Sequence, residues 1–311
     1  MGGSGGGFFY QGSNNPDDIS KRVREQEEKA KDQAFDLEVI EMFKEILAVV
    51  NGRDAEQVQA HLRAIENAIV KEIEGTIDLR YGGSVSKHTY VDGLSDIDCL
   101  AIINNSELIN SSPNEVKEYF FNSIKSRFPN SDIKMGKLAI TINYSNGNEI
   151  QILPAIKTSS GIKIPSSRRE DEWSKIIKPE IFAKTLRFMN GKMAGKLIPV
   201  IKLAKSLISS FPENRRLSGY HTECLAIEVF KDYTGIKKTK EMLKYFFNEG
   251  ARSVLNPIKD KTGQSVHVDD YLNERNSLQR KMTSDSMSSI LRKMHNADGS
   301  RDVRLWEQIL K

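Results

Sequence analysis

The chain is poor in cysteine, and what it has is dispersed. Cys99 and Cys224 are the two among 311 residues, so neither a disulfide framework nor the paired spacing of a zinc site can be written for it. A reducing cytoplasm is the expected setting. No apolar run approaches the roughly 20 residues that cross a bilayer, so no membrane partner is expected. Nor is there a marked excess of one charge: 46 basic residues face 42 acidic ones, a net of +4. That near balance argues against a protein that coats long nucleic acid. A small polyphosphate ligand is still allowed, because it needs only a local basic pocket. The first residues, MGGSGGGFFYQGSNNPDD, lack the basic region and apolar core of a secretory signal. Their glycine and serine content reads as a flexible tail over residues 1–16.

What remains is a globular composition, 38% hydrophobic and 28% charged, in a chain long enough for one large domain or two lobes. A helical pattern runs from Asp17 to Val50 and stops at Asn51-Gly52. A second spans about Asp54 to Ile73, with Val58, Leu62, Ile65, Ile69 and Ile73 near a 3.6-residue period. Strands are expected at Thr76–Tyr81, Asp98–Ile103, Lys137–Tyr144 and Glu149–Ala155. Ser112-Pro113 opens a helix to about Phe128, Asn146-Gly147 marks a hairpin, and another turn surrounds Gly161. From Pro179 onward the chain reads as helix, interrupted at Asn190-Gly191 and kinked at Pro199, then over Gly219–Tyr233, Thr239–Gly250, Asp269–Met282 and Ser284–Ala297. The reading is α+β: a mixed or antiparallel sheet with helices in residues 17–180, then a helical lobe in 181–311.

The chemistry concentrates in "GGSVSKHTYVDGLSDID", residues 82–98. Asp96 and Asp98 share a face of an extended segment. Two carboxylates about 4 Å apart repel by roughly 4 kcal/mol at an effective dielectric of 20, so a cation between them is the economical explanation. Glu149 and Gln151 share a face in the same way. If their strand lies beside Asp98–Ile103, one of them joins the aspartates as a third oxygen donor. Such a set suits Mg²⁺, or Mn²⁺ in its place, bridging carboxylates to phosphate oxygens. Gly82-Gly83-Ser84 permits close backbone approach, and a helix beginning there would aim N–H groups and the Ser84 hydroxyl at an anion. Each signal alone is weak; their order, with the apolar strand and the acidic hairpin strand following, is more specific.

That stretch, with "EIQILPA", "IPVIKLAKSL" and "SGYHTECLA" in the same order, resembles the polymerase β-like nucleotidyltransferases, and among them the cGAS/DncV-like enzymes (CD-NTases) of bacterial CBASS anti-phage systems. The resemblance implies a polymerase β-like nucleotidyltransferase core plus a C-terminal helical lobe, with the active site in the cleft between them. It implies synthesis of a cyclic di- or trinucleotide from nucleoside triphosphates such as ATP, and CBASS regulatory or effector proteins as partners. Carried over by position, Gly83 and Ser84 match the pair that holds the donor triphosphate, and Asp96 and Asp98 match the metal-binding carboxylates. Lys202 matches the triphosphate-gripping lysine, with Lys205 on the same helical side. Tyr220 matches the aromatic that stacks on a base, with Ser218 assisting at the phosphates. The third position departs from the pattern: relatives carry aspartate where this chain has Gln151. Glutamine cannot act as a base, so the third metal ligand and general base is assigned to Glu149, two residues earlier on the same face.

Plainer readings stand beside these. Asp-x-Asp also occurs in solvated turns, a helical lysine is usually a surface lysine, and Tyr220 could simply pack in a core. His88, His221 and the pairs Arg168-Arg169 and Arg215-Arg216 read as structural or solvated. A transferase acting on RNA ends, protein or a small molecule is the alternative on the same core. An inactive nucleotide-binding homologue, suggested by Gln151, is a third.

Overall fold

The computed structural model describes residues 16–51, 55–70, 75–82, 84–91, 97–144, 149–166, 169–260 and 267–310. Helices α1 (Pro16–Val50) and α2 (Ala55–Val70) precede strands β1 (Gly75–Tyr81) and β2 (Ile97–Ser106). Then come α3 (Pro113–Arg127), β3 (Asp132–Met135), β4 (Ile140–Asn143), β5 (Glu149–Lys157) and the short β6 (Ile162–Lys163). The remainder is helical: α4 (Pro179–Lys192), α5 (Leu197–Ser209), α6 (Gly219–Val229), α7 (Thr239–Ser253), α8 (Leu278–Ser300) and α9 (Val303–Leu310).

The sheet is mixed, with order β1-β2-β5-β4-β3 and β6 on β5. Only β2 and β5 run parallel among the described strand pairs, because α3 and the β3–β4 hairpin carry the chain back to the starting end. Alternation then sorts the side chains. Cys99, Ala101 and Ile103 of β2 and Ile150 and Ile152 of β5 face α2 and α3 in one core. Ile102 and Ala155 face the other way, onto Ile164 and Ile177. The Asn146-Gly147 hairpin lies outside the described residues, but the β4–β5 pairing that it implies is present, with Asn143 opposite Glu149.

A separate helical core gathers α4 to α9 around Leu186, Val200, Phe246, Met287 and Trp306, and includes Phe35, Val39, Met42 and Phe43 of α1. By packing, α1 goes with these helices and α2 with the sheet. The ends of the helices carry the expected chemistry. Ser112 caps α3 in a full capping box with Glu115, and Pro113 occupies the first turn.

Four expectations are corrected. The strand sought at Lys137–Tyr144 is limited to Ile140–Asn143, since the Gly136 amide donates to the Ala139 carbonyl (2.8 Å) and spends Lys137 and Leu138 in a turn; β3 then pairs with it unforeseen. Pro199 makes no kink, because it falls in the first turn of α5, where a missing N–H costs nothing. The break lies earlier, at Ala194 and Gly195 with φ of 52° and 75°. The segment expected as one helix from Asp269 to Met282 is a 3-10 turn (Asp270–Leu272) followed by irregular chain; Asn273 and Asn276 have φ of 62° and 57°, which ends helical winding. α8 then runs unbroken through the expected gap at Thr283, whose buried hydroxyl donates within the helix to Gln279 O.

Candidate active site

The parallel pairing of β2 with β5 sets Asp98 directly opposite Gln151, with Glu149 two residues along on the same face. This is the face opposite α2 and α3. The three side chains are partly buried. Gln151 Nε2 donates to Glu149 Oε1 at 3.0 Å, so the glutamine orients the neighbouring carboxylate. Asp96 and Gly83 lie outside the described residues. Asp98, Glu149 and the Gln151 carbonyl offer only hard oxygen atoms, the donor type that a magnesium ion takes.

The turn after β1 sits against this edge. The Gly82 amide donates to the Asp98 carbonyl at 2.7 Å, and a Cβ at Gly82 would lie 3.3 Å from Leu100 Cγ and 3.5 Å from Asp98 O. A side chain there would crowd Leu100 by a few tenths of an ångström. Instead of the helix considered from the sequence, residues 84–88 form hydrogen-bonded turns. Ser86 N donates to Gly82 O, and Thr89 N to Ser84 O at 3.0 Å. His88 has a left-handed φ of 60° and is exposed. Ser84 is 9% exposed, and its Oγ has no hydrogen-bond partner among the described residues. A buried hydroxyl without a partner costs about 1–3 kcal/mol, which a ligand oxygen would recover.

The helical lobe meets the turn through charge. Glu223 of α6, only 1% exposed, accepts from Lys87 Nζ through Oε2, and from Thr89 Oγ1 and Lys205 Nζ (2.7 Å) through Oε1. Lys205 Nζ also donates to Thr89 O at 3.0 Å. Burial would raise the Glu223 pKa, but Lys205 and Lys87 reverse this and hold it below the ordinary carboxylate value. Burial lowers the Lys205 pKa against the opposing pull of Glu223; Lys87 adds to the lowering, and nearby Asp98 resists it. Two lysine donors on one carboxylate offset the cost of burying it. The structure therefore places Lys205 inside this network, bound to Glu223 and Thr89, with Asp98 near enough to act on its charge.

The other sequence-selected residues take definite places. Lys202 Nζ donates to Asn51 Oδ1 at the end of α1. Ser218 is the N-cap of α6 and accepts from His221 N. Tyr220 packs edge-on against Phe182, with centroids 5.1 Å apart, and its hydroxyl donates to Asp260 Oδ1 at 2.8 Å. Lys87 Nζ stands 5.1 Å from the Phe182 ring and 5.2 Å from the Tyr220 ring. His221 is fully buried behind the cap, its Nδ1 2.8 Å from Tyr271 Oη. Burial lowers its pKa to about 4, so it is neutral at pH 7. The surface cavities near α3 and α7, of about 400 and 580 Å³, are lined by none of these residues.

The sequence reading did not single out Lys87, Thr89 and Glu223. A signal was available: a glutamate directly before the apolar run Cys224-Leu225-Ala226-Ile227 in a buried helix needs cationic partners.

The fold, a mixed sheet with a helical lobe packed against it, is that seen in solved cGAS/DncV-like nucleotidyltransferases. Among solved structures it is similar to CdnC of E. coli MS115-1 with ATP, at 16% identity and a TM-score of 0.58 over 82% of this chain and 90% of that one. The Bradyrhizobium diazoefficiens CD-NTase CdnG in complex with GTP matches at 15% identity and a TM-score of 0.61, over 83% and 89% of the two chains. Vibrio cholerae DncV, a cyclic AMP-GMP synthase with the linear intermediate 5′ pppA(3′,5′)pG, matches at 10% and 0.59, over 94% and 90%. No family model and no curated protein matches the chain.

Proposed function

We propose that this chain is a nucleotidyltransferase that joins nucleoside triphosphates into a cyclic di- or trinucleotide messenger. The observation that carries the reading is the β2–β5 register, which brings Asp98 and Glu149 to one face beside the turn holding Ser84. In the reaction, a ribose hydroxyl of one nucleotide attacks the α-phosphorus of another triphosphate. The new P–O bond forms as the bond to pyrophosphate breaks, and pyrophosphate leaves with the electron pair. Glu149 takes the hydroxyl proton and passes it to solvent. Ser84 donates to a phosphate oxygen of the bound triphosphate, Lys202 supplies positive charge to its tail, and the exposed part of Tyr220 offers a face to a base. Asp96, Asp98 and Glu149 would hold Mg²⁺, whose chemistry is to neutralise charge developing on the phosphate oxygens. The same site, reloaded with its linear product, closes the ring. The rest of the rate comes from positioning.

The similarity to CdnC and DncV supports a place in CBASS anti-phage signalling. CdnC has also been solved with a HORMA protein, which makes a regulator of that kind the partner to try first. Gln151 opposite Asp98 is the observation that favours the second reading, an inactive or non-cyclising homologue. Incubating the chain with labelled triphosphates and Mg²⁺ separates them. Phosphatase-resistant product supports the cyclase. Label found only on added RNA or protein supports a different transferase, and no turnover supports the inactive homologue.

A further inference from the structure

Glu223 has no role in the chemistry above, yet its surroundings are costly to build. Burying a carboxylate with two lysines costs several kcal/mol before their attraction repays it, and an apolar contact would join two lobes as well or better. Here the cluster serves a position. Every polar group of Thr89 is engaged: its amide donates to Ser84 O, its hydroxyl to Glu223 Oε1, and its carbonyl accepts from Lys205. The Thr89 hydroxyl also lies 3.4 Å from Ser84 O. Ser84 is thus fixed by its carbonyl while its hydroxyl has no partner among the described residues. The chain of contact runs from α6 through one carboxylate to Thr89 and on to Ser84. Lys87 ties the same turn to Phe182 and Tyr220 of the helical lobe.

We propose that Glu223 is a positioning residue: it clamps the turn of residues 84–91 to α5 and α6, and through Thr89 it presents the Ser84 hydroxyl to the triphosphate. The inference rests on the nucleotidyl-transfer reading above and assigns the helical lobe a part in holding the donor nucleotide.

The test compares Glu223→Gln, Thr89→Val and Thr89→Ser with the parent in the full chain. Binding of Mg²⁺ with α,β-methylene ATP is measured by calorimetry, and amide hydrogen exchange is followed over residues 84–91, below each variant's melting temperature. Loss of one such hydrogen bond should weaken binding about tenfold in Glu223→Gln and in Thr89→Val. Exchange in the turn should quicken by at least about the same factor while α3 and β5 keep their protection. Thr89→Ser, which restores the hydroxyl, should recover most of the affinity. If the variants melt earlier but bind the analogue as the parent does, the carboxylate is only a strut and the proposal is overturned. Should Glu223→Gln fail to fold, the valine and serine pair at Thr89 decides alone. If the parent itself does not bind the analogue, the nucleotide reading has failed and takes the presentation of Ser84 with it; unchanged exchange in the turn would instead refute the clamp itself.

Discussion

Replacing Glu149 with glutamine separates charge from shape at the site, since the amide keeps the length of the side chain and its contact with Gln151. Adjacent strands lie about 4.8 Å apart with a rise of about 3.3 Å per residue, which puts the Asp98 and Glu149 backbones about 8 Å apart. Two charges at that separation repel by about 2 kcal/mol at an effective dielectric of 20, and by less than about 1 kcal/mol once solvent reaches these half-exposed side chains. Without a divalent ion, Glu149→Gln should therefore be as stable as the parent or slightly more so, with a melting temperature higher by no more than about 4 °C. Turnover should fall by about 10²–10⁴-fold, the contribution of a positioned general base. Gln151→Ala, which leaves both carboxylates in place, should cost less than about tenfold. The assay is pyrophosphate release from ATP and GTP with Mg²⁺, alongside thermal melts with and without the ion; Mg²⁺ should raise the parent's melting temperature and leave that of Glu149→Gln nearly unmoved. If Glu149→Gln stays active while Gln151→Ala is crippled, the assignment of base and third ligand is wrong.

Asp98→Asn should abolish turnover with little change in melting temperature, because the repulsion from Glu149 that it relieves is offset by the lost attraction to Lys205; residual activity within tenfold of the parent would reject the metal assignment. Ser84→Ala should raise KM for the triphosphate about tenfold without loss of stability, since the deleted hydroxyl has no partner among the described residues; a clear fall in melting temperature would show that the hydroxyl serves the fold instead. His221 should give the protein an acid limb. Its pKa is lowered from 6.5 to about 4 by burial, with Arg280 adding to the lowering and Asp269 opposing it. The unfolded chain thus binds the proton first, and stability complete above about pH 6.5 is lost as pH falls toward 4, by about 3 kcal/mol in all. Urea titrations of the parent and His221→Gln across that range should differ in slope; parallel curves would contradict the burial argument.

Much of this was legible in the chain, and the reasons differ by element. The period of α2, the Ser112-Pro113 start of α3 and the Asn146-Gly147 signal are local: each depends on backbone sterics or hydrogen bonds within a few residues. The Asp98 and Glu149 faces followed from the two-residue repeat of strands. The misreadings came where tertiary contacts overrode local pattern. α8 continues through Thr283 because that hydroxyl bonds inside the helix and to Arg215 O. The chain near Asp269 stays irregular because the fully buried Arg280 needs carbonyls and a carboxylate there, and takes them from Val254, Asn273 and Asp269.

By itself, then, the sequence determined the α+β class, the order of most elements and the acidic and glycine-serine motifs, since these follow from the local geometry of the backbone. Only the tertiary structure decided that Gln151 lies opposite Asp98, that Lys205 is spent on Glu223, and that a carboxylate of α6 holds the turn bearing Ser84. Those pairings join residues as much as 136 positions apart. Which partners meet at such separations is set by the energy of packing two cores together, a property no local stretch of chain contains.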